Sequence, residues 1–273
     1  MGLTHRHQNN QYRGIIMNRI LAASAAAALV AGIGPAYADN HEQEARRYVP
    51  VETFTCNYRA GKGTADLDKV IDNWNQWMDD NGAEDYFAMT LTPHYYGENT
   101  FDVGWLGSWP SGESMGRGTD MWMAKGSEVG QQFDEVIECV SHTNFATTEL
   151  KSPGEGPAPD TLVIAFSDCT GPDDSSKWPE LMAGLDAWTE YQTETGYHEG
   201  SWMMFPAFGG GDFDFDFKIA TGWDNHTQHG QDYQRYGEQQ DWEKRGELIG
   251  DRMDCDVARL YDARVRRRPA QQD

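Results

Sequence analysis

The chain has 273 residues, with 44 Asp and Glu against 22 Lys and Arg, a formal net charge of -22 and a pI near 4.6. That balance argues against nucleic acid and anionic lipid as partners, since binding either needs clustered positive charge. No run after the first forty residues is apolar enough for a membrane span, so a globular fold is expected.

Arg19, the apolar run Ile20–Ile33 and then Ala36-Tyr37-Ala38 follow the order of a secretory signal peptide. Cleavage after Ala38 is expected, with Met17 as the true start. The run falls short of the roughly twenty apolar residues of a spanning helix, so no membrane span should remain after cleavage. The mature chain is expected outside the cytoplasm, in a bacterial periplasm.

The first repeat is placed at residues 39–150. Val51 to Cys56 is β-prone and ends before Gly61 and Gly63, which predicts a strand. Leu67, Val70, Ile71, Trp74 and Trp77 or Met78 recur at helical spacing up to Asn81-Gly82. Tyr86 to Tyr95 and Thr100 to Trp109 read as a hairpin, Met121 to Val136 as a second helical region, and Cys139 to Ala146 as a closing strand. A Pro- and Gly-rich linker follows at 151–160.

The same order returns over 161–264. Thr161 to Cys169 is a strand, Pro179 to Tyr191 a helix, Gly200 to Phe208 and Asp212 to Ala220 a hairpin, Tyr233 to Ile249 helical, and Cys255 to Tyr261 the last strand. Leu67, Ile71, Asp72 and Trp74 match Leu181, Leu185, Asp186 and Trp188, while Pro93, Phe101, Asp102 and Trp109 match Pro206, Phe215, Asp216 and Trp223. Residues 265–273, with Arg264 just before them, read as a basic tail without fixed structure.

Four cysteines in an exported chain suggest two disulfides, for which three pairings exist. A unit duplicated whole carries its own bridge, which selects Cys56 with Cys139 and Cys169 with Cys255. The four lack the close CxxC spacing of a zinc site.

The order βαββαβ, found twice, is that of a ferredoxin-like unit, and the chain resembles the dimeric α/β-barrel superfamily. The resemblance is one of architecture and covers nearly all the mature chain. It implies an α+β fold in which the two tandem units pack sheet against sheet as an intramolecular dimeric barrel. That superfamily includes cofactor-free monooxygenases, cyclases and haem-dependent peroxidases. No phosphate loop, nucleophile elbow or Ser/His/Asp order is visible.

Three groups of residues are candidates for function. Asp212, Asp214 and Asp216 alternate with Phe213, Phe215 and Phe217; on a strand they would share one face, with Asp102 joining from the first copy, either solvated or as a site for a hard cation. His226 and His229 follow the second hairpin and are candidate ligand-binding residues, although HxxH alone is a weak metal signature. His94 stands where the second copy has Ala207, and Thr100 where it has Asp214. A single site retained in one half would leave such asymmetry, with His94 as a base and Tyr95 or Tyr96 beside it.

The leading expectation is therefore a protein that binds a small molecule or cation between its two halves. One alternative is an enzyme of the barrel superfamily, of monooxygenase, cyclase or haem-dependent type, using His94 or His226. The other is a non-catalytic interaction protein with a patch of Trp105, Trp122 and Trp202. The sequence names no cofactor.

Overall fold

The structure, a computed structural model, describes residues 46–83, 85–98, 101–154 and 156–269. The leader read at residues 1–38 and the comparison of Thr100 with Asp214 lie outside the described residues on one or both sides. The first copy contains β1 (Val49–Tyr58), α1 (Thr64–Asp80), β2 (Phe87–Tyr95), β3 (Val103–Ser108), α2 (Gly112–Lys125), α3 (Ser127–Asp134) and β4 (Ile137–Lys151). The second contains β5 (Thr161–Thr170), α4 (Trp178–Thr195), β6 (Gly200–Gly209), β7 (Phe217–Trp223), α5 (His226–Glu238), α6 (Asp241–Leu248), the short β8 (Asp254–Cys255) and β9 (Arg259–Arg267).

Within each copy the strands pair antiparallel, in the orders β4-β1-β3-β2 and β9-β5-β7-β6. The copies join edge to edge, β4 to β6 and β2 to β9, so eight strands close into a barrel with no open edge. This is the α+β dimeric-barrel architecture within one chain.

Strand alternation separates the layers. Val51, Met89, Leu106, Phe145, Ile164, Met204, Ala220, Tyr261 and Ala263 pack together inside the barrel. The opposite strand faces carry the helices. Leu67, Ile71 and Trp74 of α1 bury against Cys56, Ala88 and Val103, and their matches Leu181, Leu185 and Trp188 of α4 bury against Cys169, Met203 and Phe217. Phe145 is 1% exposed; truncating such a side chain to alanine typically costs about 3–5 kcal/mol.

Cys56 and Cys139 are direct register partners on β1 and β4, as are Cys169 and Cys255 on β5 and β8, and both pairs are bridged. The pairing selected from the repeat is the one observed. The bridges span 83 and 86 residues, and in the chain-entropy account loops of that length contribute about 4.5 kcal/mol each.

Three expectations from the sequence need correction. Asp212 to Asp216 is not strand, since β7 begins only at Phe217. Gly209, Gly210 and Gly211 all take positive φ, which ends the ladder before the Asp/Phe alternation begins. The basic segment is not a loose tail up to Arg267, because β9 runs to that residue and the side chains of Arg266 and Arg267 are 7% and 8% exposed. Finally, each second helical region is two helices. The first breaks at Gly126, where a Cβ would lie 2.7 Å from the Trp122 ring, and the second at Gln240, with φ 57°.

Candidate functional site

β1 and β5 run the same way around the closed sheet, so both disulfides and both hairpins, β2–β3 and β6–β7, lie at one mouth of the barrel. A cavity of about 300 Å³ opens there. The first copy contributes Thr53, Thr55, Leu91, Glu98 and Phe101, and the second Phe166, Asp168, Met204, Lys218, Arg259 and Tyr261. Apolar and charged side chains adjoin in this lining, Phe166 being the register partner of Arg259 and Met204 that of Lys218. The charged groups form a cluster, in which Asp168 accepts a hydrogen bond from Lys218 Nζ and lies 3.1 Å from Arg259 Nη2, and Arg259 also pairs with Asp256.

Lys218 stays in place because its ammonium also lies 4.1 Å above the Phe215 ring. Burial pushes its pKa down, against the hydrogen bond and charge of Asp168. Burial likewise raises the Tyr261 phenol, whose ring stacks on Phe101 with centroids 6.0 Å apart. By register Asp168 corresponds to Thr55 and Lys218 to Gly104, so the first copy has no counterpart of this ion pair.

The candidate carboxylates belong to the hairpin loops of this mouth but do not line its cavity. Asp102 Oδ2 accepts from the Tyr58 backbone N–H at 2.9 Å and Asp216 Oδ2 from that of Gly171 at 2.8 Å. Both are turn braces, while Asp212 and Asp214 are exposed on the glycine-led loop. Tyr96 is at the cavity rim and 55% exposed.

The histidines assemble elsewhere. Tyr261 and Ala263 face into the barrel, so Asp262 faces outward, toward β2 and the first turn of α5. There His94 Nδ1 is 2.9 Å from Asp262 Oδ2, and His226 Nε2 is 2.7 Å from Asp262 Oδ1. Partial burial would raise the Asp262 carboxyl, but the hydrogen bonds and charges of the two imidazoles outweigh it and hold it below the usual range. His229 packs its ring against Trp223 at 4.8 Å. Burial lowers its pKa, as do the neighbouring His226 and His94. Neither His94 nor His226 lines the mouth cavity.

A third cluster was not legible in the sequence. Asp232 of α5, 4% exposed, accepts hydrogen bonds from the backbone of His198 and Glu199, from His198 Nδ1 at 2.8 Å and from Trp223 Nε1 at 2.9 Å. Glu199 beside it is also 4% exposed, and its pKa is pushed up to about 8, first by burial and then by the Asp232 hydrogen bond and charge. Hydrophobic periodicity marks the apolar face of a helix but not an acid turned into the fold. A polar cavity of about 370 Å³ adjoins it, lined by residues such as His198, Asp232 and Arg235. The tryptophans do not form one patch: Trp105 packs under the helices of the first copy, Trp202 packs with the barrel cluster, and Trp122 lies edge-on to Trp77.

No protein-family model matches the chain, and no curated protein matches it by sequence. Solved structures do match in fold. A monooxygenase-like protein from Fusobacterium nucleatum superposes with TM-score 0.51 at 9% identity, over 80% of this chain and 92% of that one. A heme-binding protein from Thermus thermophilus gives 0.46 at 11% identity over 79% and 91%, and a chlorite dismutase variant from Candidatus Nitrospira defluvii gives 0.46 at 9% over 82% and 94%. The likeness is to chlorite dismutase-like and dimeric α/β-barrel proteins, and it is one of fold. Haem does not fit either cavity described here. Both are at the small end of ligand pockets, and Trp74, Tyr86 and Trp105 on one side and Trp178, Trp188 and Phe217 on the other pack the spaces between sheet and helices.

Proposed function

We propose that this chain is an exported binding protein that holds a small amphipathic anion in the mouth of its barrel, between its two halves. The observation that carries this reading is the mixed lining of the cavity, where Lys218 and Arg259 stand beside their apolar register partners Met204 and Phe166, with Leu91 and Phe101 completing the apolar surface. An apolar body would lie against Leu91, Phe101, Phe166 and Met204 while a carboxylate-sized head joins Asp168 and Asp256 around Lys218 and Arg259. Lys218 and Arg259 are each paired with a carboxylate, Asp168 or Asp256, so the ligand head would share cations already partly neutralised. His94 and His226 lie outside this mouth, so the reading requires no acid–base step.

Export rests on the leader-like segment at residues 1–38 and agrees with two disulfides, which persist in oxidising compartments. A periplasmic location is tested by fractionating cells that express the full chain. Binding is tested by thermal shift and calorimetry with a series of short-chain and aromatic carboxylates, each beside its neutral alcohol. The expected result is a raised melting temperature for the acids only, lost in Lys218→Met. Equal shifts for acids and alcohols, or none across the series, would overturn the reading.

A further inference from the structure

We infer that His94, His226 and Asp262 form a binding site for a divalent transition ion, of which Zn²⁺ is the simplest probe. One donor atom from each of the three lies within 4.8 Å of the other two, and the imidazole ring centroids are 4.6 Å apart. The donors come from three separate segments. His94 is the penultimate residue of β2 in the first copy, Asp262 is on β9 of the second, and His226 is the first residue of α5.

The internal repeat supplies an independent observation, because the barrel has a second seam that serves as a control. At the first seam, β2 meets β9 with Thr92 opposite Asp262; at the second, β6 meets β4 with Phe205 opposite Ala146. Ala146 therefore corresponds to Asp262, and Ala207 to His94. The helices that start beside the seams are capped alike, Asn225 accepting from the Gln228 N–H and Ser111 from the Ser114 N–H, so Gly112 corresponds to His226. One seam carries His, Asp and His where its counterpart carries Ala, Ala and Gly. Strand order, register and cap are kept while three donors differ together, at points that meet only in the folded chain. Barrel closure does not require them.

The donor set selects the kind of ion. Two imidazoles and one carboxylate suit Zn²⁺, Ni²⁺ or Cu²⁺, whereas Ca²⁺ takes six to eight oxygens. The side chains of His94, His226 and Asp262 are 35%, 47% and 51% exposed, which leaves room for water at the remaining positions. The same two imidazole nitrogens now face the two Asp262 oxygens, so the ion would take up contacts already directed inward. Ligation needs unprotonated imidazoles, and occupancy should fall as pH is lowered. The site is on the outer face, apart from the mouth cavity, and stands or fails independently of the anion reading.

The test is calorimetry of the intact, disulfide-bonded chain with Zn²⁺, alongside the absorption spectrum of bound Co²⁺. One site is expected, with Co²⁺ bands in the visible and a higher melting temperature. His94→Ala and His226→Ala should each weaken Zn²⁺ by at least on the order of tenfold, given that loss of an outer-shell partner alone costs that much. His142→Asn, at an exposed imidazole paired with Glu52, should not. The metal-free melting temperature of each variant separates a lost site from a lost fold. Zn²⁺ uptake unchanged in a His94→Ala, His226→Ala double variant would overturn the inference, as would uptake matched by Ca²⁺; either would assign the ion to the acidic surface. Absence of binding at millimolar Zn²⁺ would overturn it as well.

Discussion

Asp102 and Asp216 make the same two bonds in the two halves of the barrel. Each donates its backbone N–H to the carbonyl of the first cysteine of its copy, Cys56 at 3.0 Å or Cys169 at 2.9 Å. Each side chain then accepts the N–H two residues beyond that cysteine. The brace fixes the end of the hairpin against the strand beside the disulfide, so the role of these acids is positional. Asp102→Ala and Asp216→Ala should each cost about 1–2 kcal/mol, toward the low end for a hydrogen bond to a charged group because both residues are exposed. Urea denaturation of the two variants checks this, and a loss confined to one copy would show that the braces are not equivalent.

Glu199 makes stability depend on pH. Its carboxyl is raised to about 8 in the folded chain, against roughly 4.3 in an unfolded one. A raised pKa means that the folded state holds the proton more tightly. The contribution is therefore complete below about pH 4.3 and is lost as pH rises through 8. Asp232 has the opposite sign: burial raises it, but the donated hydrogen bonds of Glu199, His198 and Trp223 prevail and lower it, so its contribution is lost toward acid pH. Glu199→Gln, which keeps a neutral side chain of the same shape, should flatten the decline between pH 5 and pH 8 and be the more stable form at the alkaline end. Denaturation midpoints across that range, for both proteins, are the measurement.

Much of the fold was legible because burial repeats at fixed spacing. Leu67, Ile71 and Trp74 mark one helix, Leu181, Leu185 and Trp188 mark its copy, and all six are buried. The paired cysteines then fixed which strands are neighbours. The loop from Gly209 to Asp216 was misread because alternating Asp and Phe imitates a strand, while the positive φ of three glycines decides the backbone. Both histidines of the cluster were also visible, His94 by its contrast with Ala207 and His226 in its HxxH pair. Asp262 was not: its pairing with β2 spans more than 160 residues, and only register brings it to His94.

The disulfides should contribute separately, since each is confined to one copy. Replacing Cys56 and Cys139 together by serine is expected to lower stability by about 4.5 kcal/mol, the loop-closure value for that span, and the Cys169 and Cys255 pair by a similar amount. Guanidinium unfolding of the two double variants and of the reduced wild-type chain gives the comparison. If reduction cost no more than one double variant, the two bridges would not act independently.

Arg267 ties the last strand of the second copy to the first helix of the other. Its Nη2 donates to the Ala83 carbonyl at 2.9 Å and pairs with Asp79 Oδ1 at the same distance, and its guanidinium lies 6.0 Å from the Trp74 ring. Because the side chain is 8% exposed, removing it would leave a carbonyl without its donor and a gap beside an indole, which places the cost of Arg267→Ala at about 2–4 kcal/mol. Lysine can restore the charge but not the planar fork, whose Nη2 serves Ala83 and Asp79 while Nη1 reaches Asn75, so Arg267→Lys should recover only part of the loss. Thermal denaturation of both variants tests this. Arg268, which reaches only the Ala158 carbonyl and an exposed Asp160, supplies the control: its alanine variant should fall within about 0.5 kcal/mol of the parent.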